Sequence, residues 1–388
     1  MEEFGSVPAR REPVVPLLAG YWAFGQYWGV WVILVFEFQE HNRLSDSRLG
    51  ILYTLLSLVA VGVMLLLAPR LQPWPLRTSV PVSLLSLAIG TTAIAYLPTS
   101  LIAVGFALVG MGNGLIDVYM NVAAQRAEVD TRRPVLQWLH ASYALGGVTG
   151  AAAAGLLRAA GIDYRIGLAY AAVALAVAGL WNARTASTAP GNRDSEVTFS
   201  ISALVRSPAL WVPALAVLFA FLVEGSMDTW SGLYLREQLG APAELAAVAF
   251  IAFAGATFLG RLFAGRVLFG LGHRTTILVS GVGAAVGGVL ALATSSLWVV
   301  GVAYLILGFM LSAAGPAAYG LVEGIDEDPT NAIAAVTTVG YTGFIWSPPL
   351  LGYIAQTAGL RAAMGVIVAA TIGIVAAGLM APKARVRG

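Results

Sequence analysis

Apolar residues run through this chain in blocks about as long as a lipid bilayer is thick, separated by short polar interruptions. A bilayer-spanning helix needs about 20 predominantly apolar residues. Stretches of that kind lie at 14–38, 49–68, 78–97, 101–124, 135–158, 165–183, 209–235, 244–266, 275–295, 298–322, 331–357 and 361–381. The pattern predicts twelve spanning helices. Most connections are as short as Leu97-Pro98-Thr99-Ser100, so successive spans must be antiparallel neighbours. The one long polar interval, Ala183 to Pro208, carries Thr, Ser, Pro, Gly, Asn and several charges. It divides the chain into a first bundle of six (1–184), a cytoplasmic linker (185–208) and a second bundle of six (209–388). Residues 1–13 hold Glu2, Glu3 and Glu12 and no small-residue cleavage site before a long apolar run. They read as a short cytoplasmic tail, not a cleaved signal peptide.

Composition agrees with the pattern. The 388 residues are 58% hydrophobic and 11% charged, with a mean hydropathy of +0.80, whereas a soluble domain has about 25% charged residues. A formal charge of +2, without a basic run interleaved with aromatics, gives no basis for nucleic-acid binding. The absence of cysteine excludes disulfides and thiolate metal sites. Lys383 is the sole lysine, which leaves little scope for Schiff-base chemistry, and neither a metal site nor a cofactor is expected. Basic residues favour the cytoplasmic side. With both termini inside, the inner segments hold Arg10, Arg11, Arg70, Arg77, Arg126, Arg132, Arg133, Arg184, Arg193, Arg206, Arg266, Arg274, Lys383, Arg385 and Arg387. The outer loops keep Arg43, Arg48, Arg158, Arg165, Arg236 and Arg361.

The two halves resemble each other. Gly110-Met-Gly-Asn-Gly-Leu-Ile-Asp117-Val-Tyr119 in the fourth span parallels Gly308-Phe-Met-Leu-Ser-Ala-Ala-Gly315-Pro316-Ala-Ala-Tyr319 in the tenth. The fifth and eleventh spans both run from a Tyr through small residues to a Gly, Tyr143 to Gly155 and Tyr341 to Gly352. A duplicated six-span unit is a frequent carrier architecture. On Gly114-Leu-Ile-Asp117-Val-Tyr-Met-Asn121, His140-Ala-Ser-Tyr143-Ala-Leu-Gly146-Gly147 and Glu224-Gly-Ser-Met-Asp228-Thr-Trp230-Ser-Gly-Leu-Tyr234-Leu, nearly the whole chain resembles the major facilitator superfamily, and within it the fucose-permease-like branch. Gly260-Arg261-Leu262, Gly265-Arg266 and Gly272-His273-Arg274 are similar to the superfamily's loop motif between spans eight and nine. The motif's usual Asp is Gly265 here, and the matching loop of the first half, Pro69 to Arg77, has largely lost the pattern. The first-span acid of the proton-coupled permease is also displaced, to Glu37 near the outer end. The resemblance implies an all-α integral membrane protein of the bacterial inner membrane, with twelve helices in two pseudo-symmetric bundles. It also implies alternating access, sugar-like cargo, proton coupling and a monomer.

The acids inside spans are Asp117, Glu224 and Asp228, and the basic groups near them are His140 and Arg261. An intramembrane carboxylate is costly to keep charged and marks a functional site by default. Asn113, Asp117 and Asn121 are four apart and line one helical face. Asp117 is expected to carry a proton or accept a solute hydroxyl; the alternative is an acid that ties its helix to a neighbour. Glu224 and Asp228 share a face of the seventh span, where two close carboxylates can share a proton or bind a cation. Capping a helix break is the alternative for Asp228. His140 and Tyr143 share a face of the fifth span, with a packed, hydrogen-bonded histidine as the plainer reading. Tyr21, Phe24, Trp28 and Trp31 form a stripe on the first span, with Trp31 the candidate solute contact; Trp230, Thr337, Thr338 and Tyr341 are others. Pro348-Pro349 is expected to bend the eleventh span, and Gly146-x-x-x-Gly150 and Gly283-x-x-x-Gly287 to admit close helix contacts. Arg261, Arg266 and Arg274 are expected to latch a cytoplasmic gate onto Glu323, Asp326, Glu327 and Asp328.

These readings favour a secondary transporter of a small polar solute, with Asp117 and Glu224 coupling protons and sodium an open alternative ion. Proton-driven efflux of lipophilic or cationic compounds ranks second. The fifth span reads Gly146-Gly-Val-Thr-Gly150, without the Pro that drug antiporters commonly place there. The chain has no His-Glu-x-x-His, no nucleotide loop and no soluble signalling domain, so an enzyme or sensor ranks last.

Overall fold

A computed structural model of the protein describes residues 13–67, 70, 74–132, 135–186, 202–322 and 329–382. Within these, the side chains of 65, 121, 125, 129, 136, 137, 202, 265–267, 269, 329–331 and 334 are left out of the description. Twelve helical rods follow one another. In the first half they are α1 (Val14–Asn42), α2 (Asp46–Gly62, prolonged by a π-turn at Val63–Leu67), α3 (Leu76–Tyr96), α4 (Ile102–Thr131), α5 (Val135–Ala159) and α6 (Tyr164–Thr185). In the second half α7 spans Trp211–Leu233 and continues into a π-turn at Tyr234–Gln238. The helical segment Ala243–Ala293 breaks at Gly272 (φ 72°, ψ 164°), a left-handed conformation that glycine adopts without strain, into α8 (243–271) and α9 (273–293). Next come α10 (Leu297–Leu311, resuming at Ala314–Val322), α11 (Pro329–Ala358) and α12 (Leu360–Met380). The expected linker lies largely in 187–201, outside the described residues.

Eight of these segments are long and apolar enough by composition alone to cross a membrane. The exceptions are α1, α2, α5 and α11, and their position explains why. α1 packs on α7, α2 on α11 and α5 on α8, which are the pairings between the two halves. Helices that face a partner lobe instead of lipid are free to carry polar and aromatic residues: α1 and α5 hold Trp and His, α2 Ser and Tyr, and α11 Ser, Tyr and Trp.

Packing repeats between the halves. In the first lobe α1 lies against α5 and α6, α3 against α4 and α6, and α2 against α4. In the second, α7 lies against α11 and α12, α9 against α10 and α12, and α8 against α10. Small residues set the closest contacts. A Cβ on Gly29 of α1 would stand 2.1 Å from the Gly147 carbonyl oxygen of α5, and one on Gly146 would stand 2.1 Å from the Trp22 carbonyl oxygen. Polar ties reinforce this lobe: Ser142 Oγ donates to the Leu18 carbonyl at 2.8 Å, and Gln26 Nε2, fully buried, donates to Thr149 Oγ1 at 2.7 Å. Gly29→Ala is therefore expected to destabilise the first lobe itself, because overpacking against backbone costs about 1–3 kcal/mol or more. A lower thermal midpoint of the purified protein would register it.

The two prolines of α11 sit inside a continuous helix. Pro348 removes the amide donor that would serve the Phe344 carbonyl, and Ser347 Oγ offers that carbonyl a long hydrogen bond of 3.5 Å instead. The Pro348 carbonyl faces Gly50 of α2, so the prolines fall at the crossing between the lobes.

Candidate functional site

The end of the bundle where α1 starts and α12 stops is called here the terminal end, and the opposite end the distal end. Near mid-depth, side chains from both lobes converge. On α7, Glu224 accepts a hydrogen bond from Arg261 of α8, Oε1 to Nη2 at 2.7 Å, with side-chain exposures of 20% and 48%. Asp228, one turn further on, lies in electrostatic range of both. From the other lobe, Tyr143 of α5 lies in range of Asp117, Glu224, Asp228 and Arg261 together. Asp117 of α4 is partly exposed, and its charge is felt by Tyr21 of α1 and by Tyr341 of α11. His140 is exposed and lies edge-on to Tyr21, with ring centroids 5.7 Å apart. It too lies in range of Arg261. The structure thus gathers Asp117, His140, Tyr143, Glu224, Asp228 and Tyr341, which the sequence singled out as solute contacts, around one space between the lobes.

Arg261, read from the sequence both as a basic partner of the span acids and as a gate residue, is paired with Glu224 in this cluster. Two tyrosines join it without having been anticipated. Tyr21 belonged to the expected aromatic stripe but not to the acid site. Tyr319 of α10 accepts from Thr337 Oγ1 at 3.2 Å and lies in range of Glu224. Asn113 is buried on α4 with Nδ2 unpartnered among the described contacts. Of Asn121 only the backbone belongs to the described residues.

Trp31 and Trp230 are placed elsewhere. Both are fully buried, 1% and 0% exposed, in an aromatic stack distal to the acids. Trp31 Nε1 donates to the Tyr53 hydroxyl at 2.8 Å. Tyr53, on α2, donates in turn to the Thr229 carbonyl of α7 at 3.1 Å, crossing from one lobe to the other. Phe38 and Phe106 flank Trp31 at 5.2 and 5.7 Å, and Trp230 stacks on Tyr53 at 6.2 Å. In this conformation neither tryptophan faces the acids. They belong to a plug.

The plug is one of three seals at the distal end. A Cβ on Gly232 of α7 would stand 1.7 Å from the Val32 carbonyl oxygen of α1, so here the lobes meet backbone to backbone. Beyond it, Glu37 of α1, 8% exposed, accepts through Oε1 from Arg158 Nε of α5 at 3.1 Å and from Arg236 Nη2 of α7. Every direct contact between lobes named above lies distal to the acid cluster. His140 and Arg261, nearer the terminal end, are exposed. Among the described residues, the direct contacts that join the lobes thus lie to the distal side of the acids.

The expected terminal latches are only partly visible. Arg274 donates to the Gly378 and Leu379 carbonyls at 3.2 and 3.3 Å, clamping α9 to the end of α12. The Arg266 side chain and residues 323–328, with Glu323, Asp326, Glu327 and Asp328, lie outside the described residues.

Two six-helix lobes that meet at a cluster of acids, tyrosines and an arginine, built from long apolar helices, define a multi-pass membrane protein. The profile of the Major Facilitator Superfamily matches residues 17–348, and the chain belongs to that family. Its relatives include an uncharacterized MFS-type transporter of Yersinia pestis, 26% identical over 87% of either chain. An uncharacterized transporter of Sinorhizobium fredii is 25% identical over 88% of this chain and 91% of its own. Among solved structures, a mutant form of the nucleoside transporter NupG superposes with a TM-score of 0.77 at 13% identity, covering 95% of this chain and all 100% of that one. A D-xylose-proton symporter gives 0.70 at 14% identity over 95% and 96%. At these identities the structural likeness speaks for the fold alone. The family and its relatives are transporters, not enzymes.

Proposed function

We propose that the protein is a secondary carrier that moves a small polar, sugar-like solute by alternating access, coupled to protons through Asp117 with help from Glu224. The observation that carries this reading is the convergence of Asp117, Tyr143, Glu224, Arg261 and Tyr341 from both lobes within electrostatic reach of one another. Arg261 is ion-paired to Glu224, and Asp228 lies close enough to Glu224 for the two carboxylates to repel each other. Taking up a proton relieves the repulsion, and a solute's hydroxyl groups can satisfy acids, tyrosines and guanidinium alike. Solute and proton then stabilise the same state and are thermodynamically linked. The two bundles, 1–184 and 209–388, are the bodies that rock about the site. The arginine distribution favours both termini, and therefore the end opposite the distal contacts, on the cytoplasmic side of a bacterial inner membrane. The motif likeness to the fucose-permease-like branch and a fold neighbour described as a D-xylose-proton symporter favour sugars and polyols as first candidates.

The test uses proteoliposomes loaded with a pH-sensitive dye and challenged with sugars, polyols and nucleosides. An active solute should move protons in the wild-type protein. Asp117→Asn should abolish that movement while solute exchange at equal concentrations persists. Proton movement undiminished in Asp117→Asn would remove the coupling role. Protons moving out of solute-free vesicles against added cationic drugs would point to export.

A further inference from the structure

His140 and Arg261 stand on α5 and α8, two helices that meet across the lobes. These helices run antiparallel and touch near their distal ends, where a Cβ on Gly155 would stand 2.9 Å from the Ala247 Cβ and 3.1 Å from the Glu244 Cα. Fifteen residues from Gly155 toward the terminal end of α5 comes His140; fifteen residues along α8 from Ala246 comes Arg261. At 1.5 Å per residue each lies ~22 Å from that contact, so the register sets the two at one height. The charge of Arg261 reaches His140 there. Both side chains are exposed, and among the described contacts no hydrogen bond joins them.

Each group is held to its own lobe. The His140 ring stands edge-on to Tyr21 of α1, with centroids 5.7 Å apart, and Arg261 donates through Nη2 to Glu224 of α7 at 2.7 Å. A guanidinium carries several N–H donors, and among the described contacts Arg261 uses Nη2 alone, so donors remain. A neutral imidazole offers such a donor one acceptor nitrogen. A protonated imidazole offers none and adds a like charge. The other titratable groups around this height are Tyr21 on α1, Tyr143 on α5 itself, Asp117 on α4, and Glu224 and Asp228 on α7. Arg261 is the one whose charge His140 feels, and Glu224 is engaged by that same arginine.

We infer that His140 and Arg261 form a pH-operated gate at the terminal end. When α5 and α8 draw together there, a neutral His140 accepts a hydrogen bond from Arg261 and latches the lobes; a protonated His140 repels the guanidinium and holds them apart. The closed arrangement binds the neutral imidazole, so it is favoured as pH rises through the histidine range and lost as pH falls. With the terminal end in the cytoplasm, acidification on that side keeps the carrier facing inward. This inference rests on the alternating-access part of the proposed function, not on its cargo or on coupling through Asp117.

Spin labels at Arg184→Cys on α6 and Leu271→Cys at the end of α8, both exposed positions, read the terminal separation in the full-length protein in lipid nanodiscs. With His140 intact, a short-distance population should grow at least about three-fold from pH 5 to pH 8. His140→Gln keeps an acceptor and cannot take a charge, so its short population should be equal at both pH values. His140→Arg carries a permanent charge and should lack that population at both. A short population that ignores pH with His140 intact, one that responds as strongly in His140→Gln, or one that persists in His140→Arg would overturn the gate. A distribution without any short population in all three proteins at every pH would overturn the rocking of the lobes as well, and with it the reading on which the gate rests.

Discussion

Gly232→Ala should open the distal end in most molecules while leaving each lobe folded. In the closed arrangement the new Cβ would fall 1.7 Å from the Val32 carbonyl oxygen and 2.8 Å from its carbon. Both atoms are backbone, so no change of rotamer relieves the clash. Gly232 belongs to α7 and Val32 to α1, so the strain is relieved when the lobes part, not when either unfolds. Overpacking of this kind costs roughly 1–3 kcal/mol or more, which shifts a two-state balance by about five- to 150-fold. Spin labels at Arg48→Cys on α2 and Thr357→Cys on α11 report the distal separation, since both positions are exposed and the chain has no native cysteine. The distance distribution should move to longer values in Gly232→Ala. An unchanged distribution with a lowered thermal midpoint would mean the clash is absorbed inside the lobes, as expected for Gly29→Ala.

The second large effect is expected from Glu37→Gln, through charge instead of shape. Glu37 and Arg236 keep only 9% and 12% of their side chains exposed, and Arg158, at 27%, shares the same oxygen. Losing the carboxylate charge leaves two guanidinium groups facing each other with little water. Removing one partner of a buried ion pair costs about 3–5 kcal/mol. Arg236 and Glu37 lie on different lobes, so separation rehydrates the stranded cation and the distal end should again open. The same spin-label pair reads it. Here, unlike Gly232→Ala, a second change should restore closure: Glu37→Gln with Arg236→Gln ends the repulsion between the two guanidinium groups and leaves only Arg158, the more exposed of the two at 27%. A double variant as open as the single one would show that shape, not charge, sets the effect.

The architecture was legible because lipid imposes it. Runs of about 20 apolar residues have few alternatives to spanning, and the structure forms a helix over each of the twelve. The acids of the central cluster were legible for a related reason. A carboxylate at Asp117 or Glu224, surrounded in sequence by Ala, Val, Leu and Gly, has to be near other polar groups, and here it is. Depth along a helix was harder to read. Trp31 lies ten residues beyond Tyr21 on α1, which at 1.5 Å per residue puts it ~15 Å further toward the distal end. That rise, set against the level of Asp117, separates the plug from the acid site. Trp230 is only two residues from Asp228, but successive residues on a helix point about 100° apart, so the two side chains diverge.

Cross-lobe pairings were illegible for a different reason. Arg158, Arg236 and Glu37 were all placed at outer ends, yet nothing in a linear pattern says which ends meet. Gly232 is one of 44 glycines, and its contact with Val32 is not encoded in any local spacing. Arg261 fits a loop motif, and the motif drew attention to the membrane surface. The antiparallel run of α7 and α8 instead brings it level with Glu224.

Thr229, whose carbonyl takes the hydrogen bond from Tyr53, directly follows Asp228 in the chain. One turn of α7 therefore carries an acid of the cluster and, one residue on, a bolt between the lobes. On the function proposed above, a solute that twists this turn as it docks also swings the bolt, so loading and unlocking would share one rigid lever and need no relay through distant residues.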